Sequence, residues 1–468
     1  MLPATHIIGK QNIRVRYRGA TDVLALQQTI SRICQEELPA RLQALFDRYD
    51  DKDSLLQLGK LELSVTLASA GDIQEQLAKA IVEKTEALIR QALEQQLAAT
   101  VSMDKSVAHM LRFYLVRGYL PWWALEKEAA PFKILLQQHW QLPALSHITA
   151  AIRPVLDDAG ARARFLSLLD DTAFTAFITA TGFISDEEWQ AWQQAFNRMG
   201  NMVAPGAFTA LARQALLASF AAAHSAADVA PKLAVALWTA LSGQGILLTP
   251  EQLRSIRSKT VREALAKAGR QTAANHRQTV QLLQNPVMPA GHAAPKAPGA
   301  PEPGATILVR NAGLVLLAPF LPALYERLDV LAGEELKDTP RAILLLRYLA
   351  YGHTAFEEFE IVLEKILCGL SLSISIEPHK QLLPEEMQEA EHLLQSVVAH
   401  WAVLKNTSPE GLRCNFLQRE GRLAFTGVQW ELQVQKQAHD ILLDYLPWSM
   451  SLIKLPWMPQ LLAVKWGA

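Results

Sequence analysis

The stretch RLAFTGVQWELQV, Arg422–Val434, decides the fold class of a chain whose other segments read mostly as helix. Arg422–Phe425 and Val428–Val434 are strand-forming runs on either side of Thr426-Gly427, the pattern of a tight hairpin. Trp430, Leu432 and Val434 alternate with polar residues and share one face. Further along, Ser449–Leu455 and Leu461–Trp466 are short strand candidates. Around them a tripeptide recurs: Leu446-Pro447-Trp448 and Leu455-Pro456-Trp457, with a distant copy at Leu120-Pro121-Trp122-Trp123. Proline fixes φ and donates no hydrogen bond, so it ends an element cleanly, and it pushes the preceding Leu to an extended conformation. The following Trp then projects from a defined corner. Two readings follow for these residues and Trp466: tryptophans sealing elements against a core, or a docking face for a partner.

Before the hairpin, Leu321–Leu331, Pro340–Tyr351 and Phe356–Cys368 read as helices, the last ended by Gly369. Pro384–Trp401 follows, and a helix capped by Ser408 with Pro409 at its first position runs to Gly421. Pro286–Gly304, PVMPAGHAAPKAPGAPEPG, has 14 Pro, Gly or Ala among 19 residues. It is expected to be an extended, semi-stiff linker. Upstream, helices of ordinary length punctuated by prolines are expected from 125 to 284, preceded by one at Asp104–Arg117 stopped by Gly118. A long helix is expected from Asp72 to Thr100, with Glu75 completing a capping-box-like start. Near the start, Ile13, Val15 and Tyr17 alternate with Arg14, Arg16 and Arg18, a strand with a basic outer face. A helix from Asp22 to Glu37 and a strand over Leu58–Leu67 follow. The fold class is α+β, predominantly α-helical, with small sheets near the N-terminus (strand–helix–strand) and the C-terminus (hairpin plus terminal strands). The expected divisions are residues 1–70, 71–285, the linker 286–305, and 306–468.

The 468 residues are half hydrophobic, and their net charge of −1 has no basic block of the kind that nucleic acid requires. Cys34, Cys368 and Cys414 form neither a CxxC pair nor a disulfide framework. The polar N-terminus is unlike a signal peptide, and the apolar run Ala312–Tyr325 is too short to span a bilayer. No phosphate-binding loop, dinucleotide fingerprint, nucleophile elbow or zinc-protease motif occurs. No catalytic, metal or cofactor residue is therefore assigned. Glu357, Glu358, Glu360 and Glu364 are expected on a solvated helix face, and neighbouring His439 and Asp440 on diverging directions.

ILVRNAGLVLLAPFLPALYERL (Ile307–Leu328), RAILLLRYLAYG (Arg341–Gly352), FEIVLEKILCGL (Phe359–Leu370), HWAVLKNTSPEGLRCNFLQREGRL (His400–Leu423) and DILLDYLPWSMSLIKLPWM (Asp440–Met458) resemble successive blocks of the contractile injection system tape measure family. His6–Leu67 and YLPWWA (Tyr119–Ala124) resemble its start, with a departure at Leu61-Glu62-Leu63-Ser64-Val65. The resemblance implies a structural component of a phage-tail-like particle that sets inner-tube length. The partners it implies are the tube, the baseplate hub and an assembly ATPase, in the cytoplasm during assembly and in the tube lumen afterwards. A single helix of 468 residues would reach roughly 700 Å, but the prolines and sheets forbid one. A ruler then needs partial unfolding, a bundle, or a homo-oligomer of copies end to end. The alternative is an assembly chaperone or adaptor that is not retained in the particle.

Overall fold

The computed structural model describes residues 8, 23–49, 54–57, 65, 73–94, 99–121, 124, 132–134, 136, 144–182, 184–200, 207–223, 228–243, 248–283, 306–376, 381–405 and 407–467. Two compact units are present, Met1–Val107 and Ala108–Ala468.

In the first unit, α1 (Val23–Arg32) runs through a π-turn, Ile33–Glu37, into α2 (Leu38–Phe46). The helical path therefore passes the expected end at Glu37. The reason lies at Pro39, whose ring would clash with the preceding turn of a regular helix. The Leu38 N–H reaches back to Ile33 O, and this wider turn admits the proline. β1 (Ser54–Gln57) precedes α3 (Ile73–Glu94), whose Ile81 and Ile89 pack with Leu38, Leu42 and Leu45. The long helix stops at Glu94 rather than Thr100, because β2 (Ala99–Ser102) pairs antiparallel with β1, Leu55 opposite Val101. The strands expected over 13–17 and across Leu58–Leu67 lie outside the described residues, Val65 apart.

α4 (Met103–Arg117) carries the chain into the second unit and ends at Gly118, whose φ of +79° suits glycine. The described helices that follow are α5 (Ala144–Ile152), α6 (Ala159–Ser167), α7 (Asp171–Ala180), α8 (Asp186–Gly200), α9 (Ala207–Ala222), α10 (Val229–Gly243), α11 (Pro250–Ser255) and α12 (Lys259–Leu283). Asp158, Asp170 and Thr249 cap α6, α7 and α11 through their side chains. α9 lies against α6, α8 and α10, and α12 against α8 and α10. The Pro286–Gly304 segment lies outside the described residues.

β3 (Thr306–Val309), not expected from the sequence, then opens the C-terminal part of the second unit, called the C-terminal domain below. A buried 3-10 segment, Ala312–Phe320, leads into α13 (Leu321–Arg327). The small ribbon β4 (Leu331–Ala332) and β5 (Glu335–Leu336) and helix α14 (Thr339–Tyr351) follow. Gly352 (φ +72°) ends α14, and Gly369 (φ +72°) follows α15 (Val362–Leu367). α16 (Pro384–His400) and α17 (Pro409–Leu412) come next, with Ser408 capping α17. A π-turn at Arg413–Leu417 ends that helical run earlier than Gly421, which instead opens β6 (Gly421–Phe425). β6 and β7 (Trp430–Val434) form the expected hairpin, with Leu423 opposite Leu432 and Gly427 at φ +96° in the turn. β8 (Leu452–Ile453) and β9 (Leu462–Trp466) complete a five-stranded sheet of order β3-β6-β7-β9-β8. Only the β7–β9 pair is parallel. Trp430, Leu432 and Val434 face the core, as their alternation requires. The chain is predominantly α with some β.

Candidate interaction site

The C-terminal Leu-Pro-Trp corners stand where Ala438–Trp466 passes back over the domain. Leu446 is half-buried and Pro447 exposed. Trp448 meets Phe320 edge-on at 4.9 Å and lies 6.3 Å from the Trp401 ring. Its Nε1 donates to Leu316 O at 3.1 Å. In the second corner Leu455 is buried and Pro456 exposed. Trp457 Nε1 donates to Leu367 O at 2.8 Å, and its ring lies 5.3 Å from Tyr325. Both indoles thus bury an apolar body and satisfy their one donor on main-chain oxygen. Gly369 makes room for this corner, since a Cβ there would lie 2.5 Å from Trp457 O.

Trp466, near the end of the chain, lies under the Arg419 guanidinium at 5.4 Å. Arg419 in turn holds Asp440 through two bonds of 2.8 and 2.9 Å. Burial alone would raise Asp440, but Arg419 prevails and keeps its carboxyl below the usual range. His439, expected to diverge from Asp440, meets the same guanidinium: its Nε2 lies 3.1 Å from Arg419 Nη1 and 2.7 Å from Asn415 O. No ring contact joins Trp448, Trp457 and Trp466 among the described residues. The two corners and Trp466 fasten the terminal segment at separate places. In the upstream copy, Leu120 is half-buried and Pro121 buried, and Pro121 O accepts from the Ala124 N–H at 2.9 Å. Trp122, Trp123, Arg14, Arg16 and Arg18 lie outside the described residues.

The acidic cluster corrects the expectation of a solvated face. Glu358 is 4% exposed, Glu364 0%, and the adjoining Lys365 1%. The reason is a partner far away in sequence. Arg164 of α6, itself 1% exposed, places Nε 3.4 Å from Glu358 Oε1 and donates to the carbonyls of Leu115 and Ser373. Lys365 Nζ lies 2.6 Å from the same Oε1, and Ser375 Oγ donates to Oε2 at 2.7 Å. Burial draws Lys365 below the ordinary lysine range, opposed by Glu358. Around the cluster, Tyr114, Phe132 and Phe359 meet edge-on at 5.6 to 6.1 Å. At its rim Lys133 and Glu357 pair at 2.5 Å. Both Glu358 oxygens are occupied by structural partners, so the cluster ties elements together. One local signal was available: Glu364-Lys365 interrupts an otherwise apolar run, IVLEKILCGL.

Glu364 differs: among the described residues neither of its oxygens, nor the amide of Asn311 facing it, meets a partner in full hydrogen-bond geometry. Burial pushes its carboxyl up to about 7, opposed by Arg347. Among the described residues no group of His, Cys, Asp and Glu could hold a metal ion, and no helix is long and apolar enough to cross a membrane.

A family model described as contractile injection system tape measure protein matches residues 5–466. No curated protein and no solved structure shows a significant match to the chain.

Proposed function

The chain belongs to the contractile injection system tape measure family, and from that premise we propose that it sets the length of the inner tube while the particle is assembled. Membership makes it a structural component that works through other proteins of the particle. The observation that carries the finer reading is the extent of the match, residues 5–466, which takes in both ends and the helical middle.

The build of the chain supports a division of labour. The C-terminal domain is a single core running from Ile307 to Val464, suited to anchoring on the baseplate hub. The described residues of 71–285 are mostly helix, suited to act as a spacer along the tube. The longest described helix, α12, has 25 residues and spans only roughly 38 Å. Measuring a longer tube then calls for extension of the spacer or for several copies end to end. The exposed corners at Pro447 and Pro456 are the proposed contacts with hub, tube or assembly ATPase. On this reading the protein acts in the cytoplasm during assembly and afterwards occupies the tube lumen.

Changing the length of residues 125–285 tests the ruler. Tubes in electron micrographs lengthen or shorten with the spacer; tubes of unchanged length at normal yield reject the role. Mass spectrometry of purified particles finds the chain retained, whereas its absence moves the reading to an assembly chaperone or adaptor.

A further inference from the structure

We propose that Arg164 is a releasable plug that docks the helical stack on the C-terminal domain in the free chain and withdraws when the stack extends. Its purpose rests on the tape measure reading, but its geometry does not. Arg164 stands on α6, which packs on α9 of the stack. Its guanidinium enters a socket walled by other elements: Leu115 O on α4, Ser373 O, and Glu358. Phe113 on α4 and Tyr119 just beyond it pack into the C-terminal core, so that wall moves with the domain.

The socket is balanced without its plug. Lys365 already matches Glu358 at 2.6 Å and spends its other donors on Leu372 O at 3.1 Å and Ile374 O at 2.7 Å. Withdrawing Arg164 leaves a neutral ion pair behind, whereas losing Glu358 would strand two buried cations. Desolvation offsets part of the attraction of a third charge buried against a balanced pair, so the contact holds locally yet stays reversible. The contact is specific, and a departing guanidinium regains its hydration. The walls of the socket stand close together: a Cβ on Gly118 would lie 2.2 Å from Leu372 O. The Lys133–Glu357 pair at the rim, partly open to solvent, can exchange its partners for water.

Amide hydrogen exchange on the full chain tests this, comparing Arg164 with Arg164→Ala and the conservative Arg164→Lys. Release predicts exchange faster by about tenfold or more in Ala159–Ser167 and in residues 371–376. The lysine variant recovers part of the protection, and amides of β6, β7, β9, α9 and α10 stay as they were. Unchanged exchange at both faces overturns the plug. Faster exchange throughout β6, β7 and β9 overturns it too, because Arg164 would then be part of the core, and so does a chain that fails to fold without Arg164. Exchange is read on the free chain, independently of any tube. Spacer-length variants with Arg164 intact test the ruler, so the two ideas fail separately.

Discussion

The helical stack and the C-terminal domain are built from opposite kinds of contact. In the stack, contacts join helices a few elements apart in the chain: α9 meets α10, α10 meets α12, α9 reaches back to α6 and α8, and α12 to α8. In the C-terminal domain, β3 pairs with β6 across all the intervening helices, and β9 inserts between β7 and β8. Contacts of such short reach tolerate a local change in helix length more readily than pairings across a whole domain. A sheet closed by distant strands has no such freedom, because every register depends on segments far apart. That difference in reach is what the proposed spacer and anchor would require.

The sharpest way to break this comparison is a pair of glycines. A Cβ on Gly313 would lie 1.7 Å from Phe416 O, a main-chain atom that cannot step aside. Gly313→Ala is expected to destabilise by about 4 kcal/mol or more, with little folded protein recovered. Gly182, in the stack, has nothing within 4 Å and only its φ of +59° to protect. Gly182→Ala is expected to remove about 1 kcal/mol in chemical denaturation. Equal effects would show the two regions to be alike in tolerance.

Trp457→Ala should come next, at about 3 kcal/mol, through loss of apolar burial and of the bond to Leu367 O. The fall in denaturation midpoint measures it, and a shift below about 0.5 kcal/mol would make this corner a surface feature. Glu364 gives a smaller effect with a defined sign. It faces Asn311, Arg347, Glu360, Tyr325, Tyr351 and Cys368. Its folded value of about 7 lies above the roughly 4.3 of an unfolded glutamate. The neutral acid therefore favours the fold, and that stability is lost as pH rises through 7. Between pH 6 and pH 8 the loss should be about 1.4 kcal/mol, and Glu364→Gln should flatten the profile. A wild-type profile already flat over this range would place the carboxyl elsewhere. The smallest change is Thr249→Ala, which removes the capping box of α11 and should cost about 1 kcal/mol. Exchange at α11 alone should rise; a spread into β6 or β7 would join the two regions.

Several features were legible because their cause lies within a few residues. Gly118, Gly352 and Gly369 mark helix ends, Ser408-Pro409 opens a helix, and Thr426-Gly427 turns the hairpin. β1 and β2 were not, since β2 looked like the tail of α3 and gained its strand form from a partner across that helix. β3 was hidden for the same reason, its partner lying beyond the whole helical part of the domain. The buried charges were misread because Glu357, Glu358, Glu360 and Glu364 look solvated until Arg164 and Lys365 are placed beside Glu358. The Leu-Pro-Trp repeats stood out in the sequence, while the carbonyls that the Trp448 and Trp457 indoles bond were not visible in any motif.

By itself, the sequence determined the glycine-marked helix ends at Gly118 and Gly369, the hairpin with its inward face, and the family, all of which depend on backbone chemistry and residue order over short spans. Only the tertiary structure decided the sheet order, the parallel seam between β7 and β9, and the burial of Glu358, Glu364 and Lys365. A strand needs a partner and a buried charge needs a counter-charge, and neither is set by its neighbours in sequence when the partner arrives from a distant part of the chain.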